Sequence, residues 1–322
     1  MAKRSKPRAG SLQFWPRKRA KKLLPRVNWK ALEERNKTKG ILGFICYKAG
    51  MARVLARDLT EKSLTKGQEI VLPTTFVECP PMRILSVRFY KNGKTALDVL
   101  LPVPEKDKKL VKRKVKLPKK EISFDEFCKL EQRLDEFDDI RIIVYSLVRL
   151  TKKRKTPPIA EIGLAGDIKE KFEFVKEHFN KEIDISEFNP SLVDARGVTK
   201  GKGYAGPVKR FGIKLKQHKS EKGRRRPGTL GPWTPSRVTF RVPMAGQLGF
   251  FTRINYNLKV LRSGNGTEIN FEFPHYGKIR TKYLAIKGSL QGPPKRELLL
   301  TIPLRATKKA EKQNFEIVRF LK

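Results

Sequence analysis

Apolar positions along this chain change rhythm several times, and each change marks an element. The stretch GILGFICYKAGMARVLARD (Gly40 to Asp58) reads as two strands with a glycine break at Gly50, and TFVECPPMRILSVRFYKNGKTALDVLL supplies further strands. Asn92-Gly93 within it is the clearest two-residue hairpin turn. Ser123 to Leu134 (SFDEFCKLEQRL) opens like a capped helix, with Asp125 and Glu126 in its first turn. IRIIVYSLV (Ile140 to Val148) is apolar and β-branched enough for a buried strand, whereas KEKFEFVKEHF (Lys169 to Phe179) places apolar residues at helical spacing. From Leu192 to Leu304 the short runs VTFRVP, NLKVLRSG, INFEF, YLAIKGS and ELLLTIPL are divided by Gly and Pro, which favours a barrel or sandwich over alternating βα units. The expected class is α+β, predominantly β.

Charge then separates the chain into parts. There are 73 Lys+Arg against 32 Asp+Glu, a formal charge of +41 that an isolated compact protein would carry as self-repulsion and that a polyanion would relieve. Residues 1–32 contain no acid, and the first carboxylate is Glu33. Acids concentrate instead in Glu121 to Asp139 and Glu161 to Glu187. The segment EKDKKLVKRKVKLPKK, 105–120, has the composition of a basic linker. The expected division is a basic arm at 1–39 and a β core at 40–104 and 191–306 interrupted by a basic loop at 200–250. An α+β insertion at 105–190 and a tail at 307–322 complete it.

Several functional classes are disfavoured. No run approaches the roughly 18 consecutive apolar residues of a membrane span, and no apolar stretch follows the N-terminal charges as in a secretory signal. A transit peptide is the competing reading of the arm, but Pro7, Pro16 and Pro25 interrupt the amphipathic helix it would need. Cys46, Cys79 and Cys128 are widely separated without CxxC spacing, and His178, His218 and His275 lie in separate segments, so neither disulfides nor a metal site are expected. GKGYAGPV (Gly201 to Val208) matches a GxGxxG pattern, yet Pro207 and a basic run follow where the dinucleotide fingerprint needs a helix, and no kinase HRD, DFG or VAIK segment exists. No serine sits in a GxSxG elbow. The chain reads as a non-enzyme with no cofactor, no metal and no small-molecule substrate.

What remains is the loop. Between Lys200 and Arg226 there are eleven Lys or Arg and one acid, Glu221. GRRRPGTLGPWTPSRV (Gly223 to Val238) then surrounds Trp233 with Gly, Pro and Thr, so the indole belongs to no periodic apolar face. A core tryptophan is the plain alternative. A stack on a base is the functional one, worth about 1–3 kcal/mol. Three adjacent arginines suit phosphate oxygens.

These segments resemble one family. GSLQFWPRKRA, LGFICYKAGM, ECPPMRILSVRFY, GVTKGKGYAGPVKRFG, RRPGTLGPWTPSRV, MAGQLGF and HYGKIRTKYLAIKGSLQGPPKR are similar, in order from residue 10 to 296, to the universal large-subunit ribosomal protein L3 in its archaeal or eukaryotic form. The short C-terminus and GPVKRFG favour the archaeal form. The resemblance implies a translation-protein-type β-barrel with long basic arms in large-subunit, 23S-type rRNA. The site would lie in the cytoplasm, in the ribosome. It also implies L14-family and zinc-bearing L24-family neighbours, and a loop whose Trp233 approaches the peptidyl transferase centre and the aminoacyl-tRNA entry path. The rRNA-binding residues expected on the arm are Lys3, Arg4, Lys6, Arg8, Phe14, Arg17, Lys18, Arg19, Lys21, Lys22 and Arg26. On the loop they are Lys200, Lys202, Lys209, Arg210, Lys214, Lys216, His218, Lys219, Lys222, Arg224, Arg225, Arg226, Trp233, Arg237 and Gln247. A stand-alone RNA-modifying enzyme and a general nucleic-acid condenser are the alternatives.

Overall fold

The computed structural model describes residues 13–35, 39–119, 122–188, 190–219 and 223–321. They fall into two compact units, Met1–Lys22 with Val198–Thr252, and Leu23–Gly197 with Arg253–Lys322.

The larger unit holds two sheets. In the first, β2 (Gly43–Asp58) pairs with β3 (Glu69–Cys79) and β3 with β12 (Lys282–Lys287); β12 is followed by β11 (Thr252–Asn265), β8 (Leu192–Val198) and β13 (Glu297–Thr301). β13 returns to pair with the first half of β2, Leu299 opposite Ile45, so six strands close on themselves as the expected barrel. Closure removes the free edges that an open sheet would expose. The tail segment supplies β14 (Phe315–Leu321), which pairs with the second half of β2.

Gly40 to Asp58 is not broken at Gly50: the interruption falls at Leu42, between a two-residue strand, Gly40–Ile41, and β2. β2 is one continuous 16-residue strand, and the glycine marks a slip in its register with β3 between Lys48 and Gly50. The reason is close packing, because a Cβ on Gly50 would come within 2.6 Å of the Phe273 ring. Before the bulge β2 is buried on both faces; after it Ala52, Val54 and Ala56 point inward and Met51, Arg53 and Arg57 outward.

The second sheet has the order β1-β7-β6-β4-β5, from β1 (Gly40–Ile41), β7 (Ile159–Ala165), β6 (Asp139–Ser146), β4 (Met82–Lys91) and β5 (Lys94–Leu100). The Asn92-Gly93 turn joins β4 to β5 with φ of 50° and 71°, as a type I′ turn requires. This sheet pairs residues of the 40–104 segment with residues of 105–190, so the expected boundary after 104 falls inside one sheet. α1 (Trp29–Arg35) lays its indole over two strands. α4 (Ile168–Glu177) is the helix that KEKFEFVKEHF predicts, and its Lys171 is buried between Asp139 and Glu33, 2.6 Å from each. α3 (Phe124–Cys128) carries the predicted cap as a reciprocal Ser123–Glu126 box, then tightens into a 3₁₀ turn over Lys129–Glu136.

Three expectations fail here. The 105–120 segment is no linker, since α2 (Glu105–Val111) buries Asp107 and Val111. INFEF is not a strand: Phe273 bridges only to Gly277, and its ring packs on Phe76 at 5.3 Å. VTFRVP is also irregular, with Val238 and Phe240 exposed and no strand pairing among the described residues. No helix among the described residues is long and apolar enough to cross a membrane.

Candidate nucleic-acid interface

The smaller unit is organised by a two-stranded ribbon. β9 (Gly201–Ala205) runs antiparallel to β10 (Gly246–Gly249), with Ala205 opposite Gly246 and Tyr204 opposite Gln247. The crossing is tight at Gly249, where φ is +70° and a Cβ would lie 2.0 Å from the Lys200 carbonyl oxygen, so only glycine fits.

A helix does start after GKGYAG, contrary to the expectation that Pro207 forbids one. Pro207 occupies the first position of α5 (Pro207–Phe211), where its fixed φ is compatible with helix and its missing N–H costs nothing. The helix is five residues long and lies between the two strands of an antiparallel ribbon, whereas a dinucleotide fingerprint sits in a parallel βαβ unit.

The arm is fastened to this unit by stacking. The Arg17 guanidinium lies 4.5 Å from the Phe211 ring centroid and 5.0 Å from that of Trp15. Arg19 lies 5.1 Å from the Phe250 ring, and the Ala20 amide donates to the Phe250 carbonyl at 2.9 Å. Trp15 meets Phe240 edge-on at 5.1 Å. Arg210 braces the ribbon, its Nε donating to the Gln247 carbonyl at 3.0 Å and its Nη1 to the Met244 carbonyl at 2.8 Å. Burial holds the Arg210 pKa below its ordinary value. The Gln247 amide is spent on the Gly249 carbonyl at 3.0 Å.

Beyond the ribbon the loop turns outward. Lys216 and Arg224 clamp its base, the Lys216 amide donating to the Arg224 carbonyl at 3.1 Å and Arg224 Nε to the Lys216 carbonyl at 3.3 Å. Arg225 and Arg226 are exposed, and residues 228–241 are exposed throughout. Trp233 is 95% exposed, which rules out the core reading. An unburied indole in a loop that also exposes Arg225 and Arg226 is suited to stacking on a base while the guanidinium groups bind phosphates.

The sequence model of the family described as ribosomal protein L3 matches residues 1–321. The chain belongs to the ribosomal protein L3 family. It is 40% identical to the large ribosomal subunit protein uL3 of Methanocaldococcus jannaschii over 313 residues, covering 94% of this chain and 92% of that one. Likewise it is 39% identical to uL3 of Methanothermobacter thermautotrophicus, with 97% and 95% covered, and 37% identical to uL3 of Archaeoglobus fulgidus, with 94% and 93% covered.

Within this family member the candidate residues separate by environment. Phe14, Lys18, Arg19, Lys21, Lys22, Lys200, Lys202, Lys209, Lys214, His218, Lys219, Arg224, Arg225, Arg226, Trp233 and Arg237 are exposed in the smaller unit. Lys216 is half-buried. Arg17, Arg210 and Gln247 point onto protein and organise the unit. Arg26 is exposed in the larger unit. Lys3, Arg4, Lys6, Arg8 and Lys222 lie outside the described residues. Sequence reasoning missed Tyr204, 81% exposed on β9, and Phe240, 61% exposed. The signal for Tyr204 was an aromatic between Gly203 and Ala205, with no apolar neighbour to share a core.

Proposed function

We propose that the 200–250 loop and the arm grip large-subunit rRNA near the peptidyl transferase centre, with Trp233 as the stacking wedge and the exposed Lys and Arg on phosphates. The chain is a structural constituent of the large ribosomal subunit, and rRNA binding follows from its family. The observation that supports the loop's role is a 95% exposed tryptophan in a loop rich in arginine. Such a surface is unfavourable in water alone, since it exposes apolar area and crowds like charges. Folded RNA relieves both. In this reading the protein performs no catalysis, and its nearest protein neighbours are of the L14 and L24 families.

The test is sedimentation of lysate through a sucrose gradient in high salt, which strips loosely held basic proteins by screening. The full-length chain is expected to stay with the large subunit. Recovery at the top of the gradient would overturn the assignment. A variant with Arg224, Arg225, Arg226 and Trp233 all changed to Ala then reports whether the loop tip matters for assembly or only for function.

A further inference from the structure

The basic segment at 105–119 is left unexplained by the arm and loop. It lies in the larger unit and brings eight Lys or Arg against Glu105 and Asp107. Far along the chain, Arg149 to Lys155 (RLTKKRK) adds five more with no acid. The fold joins them. Asp107, 3% exposed at its side chain, ion-pairs with Arg149 at 2.7 Å, and Arg83 lies 3.9 Å away. Leu110 and Val111 of α2 share a crevice with Lys155 and Pro157. Val111 belongs to a small apolar cluster with Leu85, Val103, Tyr145 and Leu147.

This arrangement removes the acid Asp107 from the surface and leaves the cations on it. Asp107 is buried and neutralised, while Lys106, Lys109, Lys112, Arg113, Lys114, Lys152 and Lys155 are exposed. Among the described residues none of these seven forms an ion pair with a carboxylate. A buried ion pair is costly to desolvate, so holding like charges together through one works against the free protein.

We infer that α2, the turn at 112–114 and the 149–155 segment form a second RNA contact surface, one that takes the phosphate backbone of a duplex. The absence of an exposed large aromatic from both segments disfavours a single strand, which is held by stacking. Lysine richness disfavours a protein partner, whose interface cores are depleted of Lys. A duplex read through its backbone needs only cations at fixed positions. That this duplex belongs to large-subunit rRNA rests on the ribosomal reading above.

The experiment measures association of the full chain with isolated large-subunit rRNA across a salt series. One variant carries Lys109→Gln, Lys112→Gln, Arg113→Gln and Lys114→Gln, all exposed; a second carries Arg224→Ala, Arg225→Ala and Arg226→Ala. Circular dichroism melts matching the parent confirm that both fold. The first variant is expected to flatten the log-affinity against log-salt slope by about 0.9 for each phosphate that is no longer neutralised. An unchanged slope there, with flattening in the second variant, overturns this surface and leaves the loop reading intact. Flattening in the first variant alone supports this surface and removes the loop. An unchanged slope together with protection of these lysines from acylation in the assembled subunit marks the surface as protein-facing and also overturns it.

Discussion

Gly163 lies directly beneath Trp29: a Cβ on the glycine would come 2.8 Å from the Trp29 Cβ and 2.9 Å from its Cγ. Gly43 makes the same allowance on a second strand, 2.9 Å from the far edge of the indole. Trp29 is 3% exposed, so the two glycines form the floor of its slot and place α1 on β7.

Changing Gly163 to Ala is therefore expected to destabilise the larger unit. The clash falls against a ring with no open side, and overpacking of this kind costs about 1–3 kcal/mol. Equilibrium urea unfolding followed by far-UV circular dichroism reads the loss as a lower midpoint. A midpoint equal to the parent's would show that the slot has slack.

Trp233→Ala should do the opposite. With almost all of its surface in solvent it contributes little to folding, and the change in stability is expected within about 0.5 kcal/mol of zero. Affinity for rRNA should fall by about 1–3 kcal/mol as the stack is lost. Calorimetric melting and filter binding of the same preparation separate the two.

Arg17→Lys tests how the arm is held. The planar guanidinium stacks on Trp15 and Phe211, a geometry an ammonium does not reproduce. The contact is worth about 0.5–1 kcal/mol at a partly exposed site. Residues 13–20 are expected to be cleaved faster in limited proteolysis of the free chain, while the β9–β10 ribbon stays intact.

Acid should weaken the β2–β3 turn through Asp58. Its carboxylate accepts from the Thr60 amide at 2.9 Å, the Thr65 hydroxyl at 2.6 Å and the Ser63 hydroxyl at 2.8 Å. Hydrogen bonds from Thr60, then Thr65, hold its pKa well below the usual carboxylate range. A depressed folded-state pKa gives stability that is present above the unfolded value of about 3.9 and is lost as pH falls from there toward the folded value. Asp58→Asn is expected to flatten the decline of urea midpoint with pH below about 4. Equal slopes for the two proteins would assign the decline to other carboxylates.

The legible parts were those in which local chemistry and tertiary context agree. Asn92-Gly93 announces its turn because few other pairs accept two positive φ values. KEKFEFVKEHF announces α4 because one apolar face at helical spacing meets one core. The basic run around Trp233 showed itself as a loop because its prolines and glycines exclude regular structure. The readings that failed depended on partners distant in the chain. By sequence Gly50 reads as a break, yet its meaning is set by Phe273, over two hundred residues away. The 105–120 run has a linker's composition because Asp107 looks like one more exposed acid until Arg149 is beside it.

Composition and spacing by themselves determined the class of this protein and the polyanionic character of its partner, and the resemblance of its short segments pointed to the family, because net charge, turn residues and short motifs are properties of neighbouring positions. Tertiary structure alone decided which cations face outward. Arg17 and Arg210 are spent on rings and carbonyls, while Arg225, Arg226 and exposed lysines of α2 such as Lys106 and Lys109 remain open to solvent. The physical reason is that a cation's role depends on what lies within about 4–6 Å of it, and the fold draws those neighbours from anywhere in the chain.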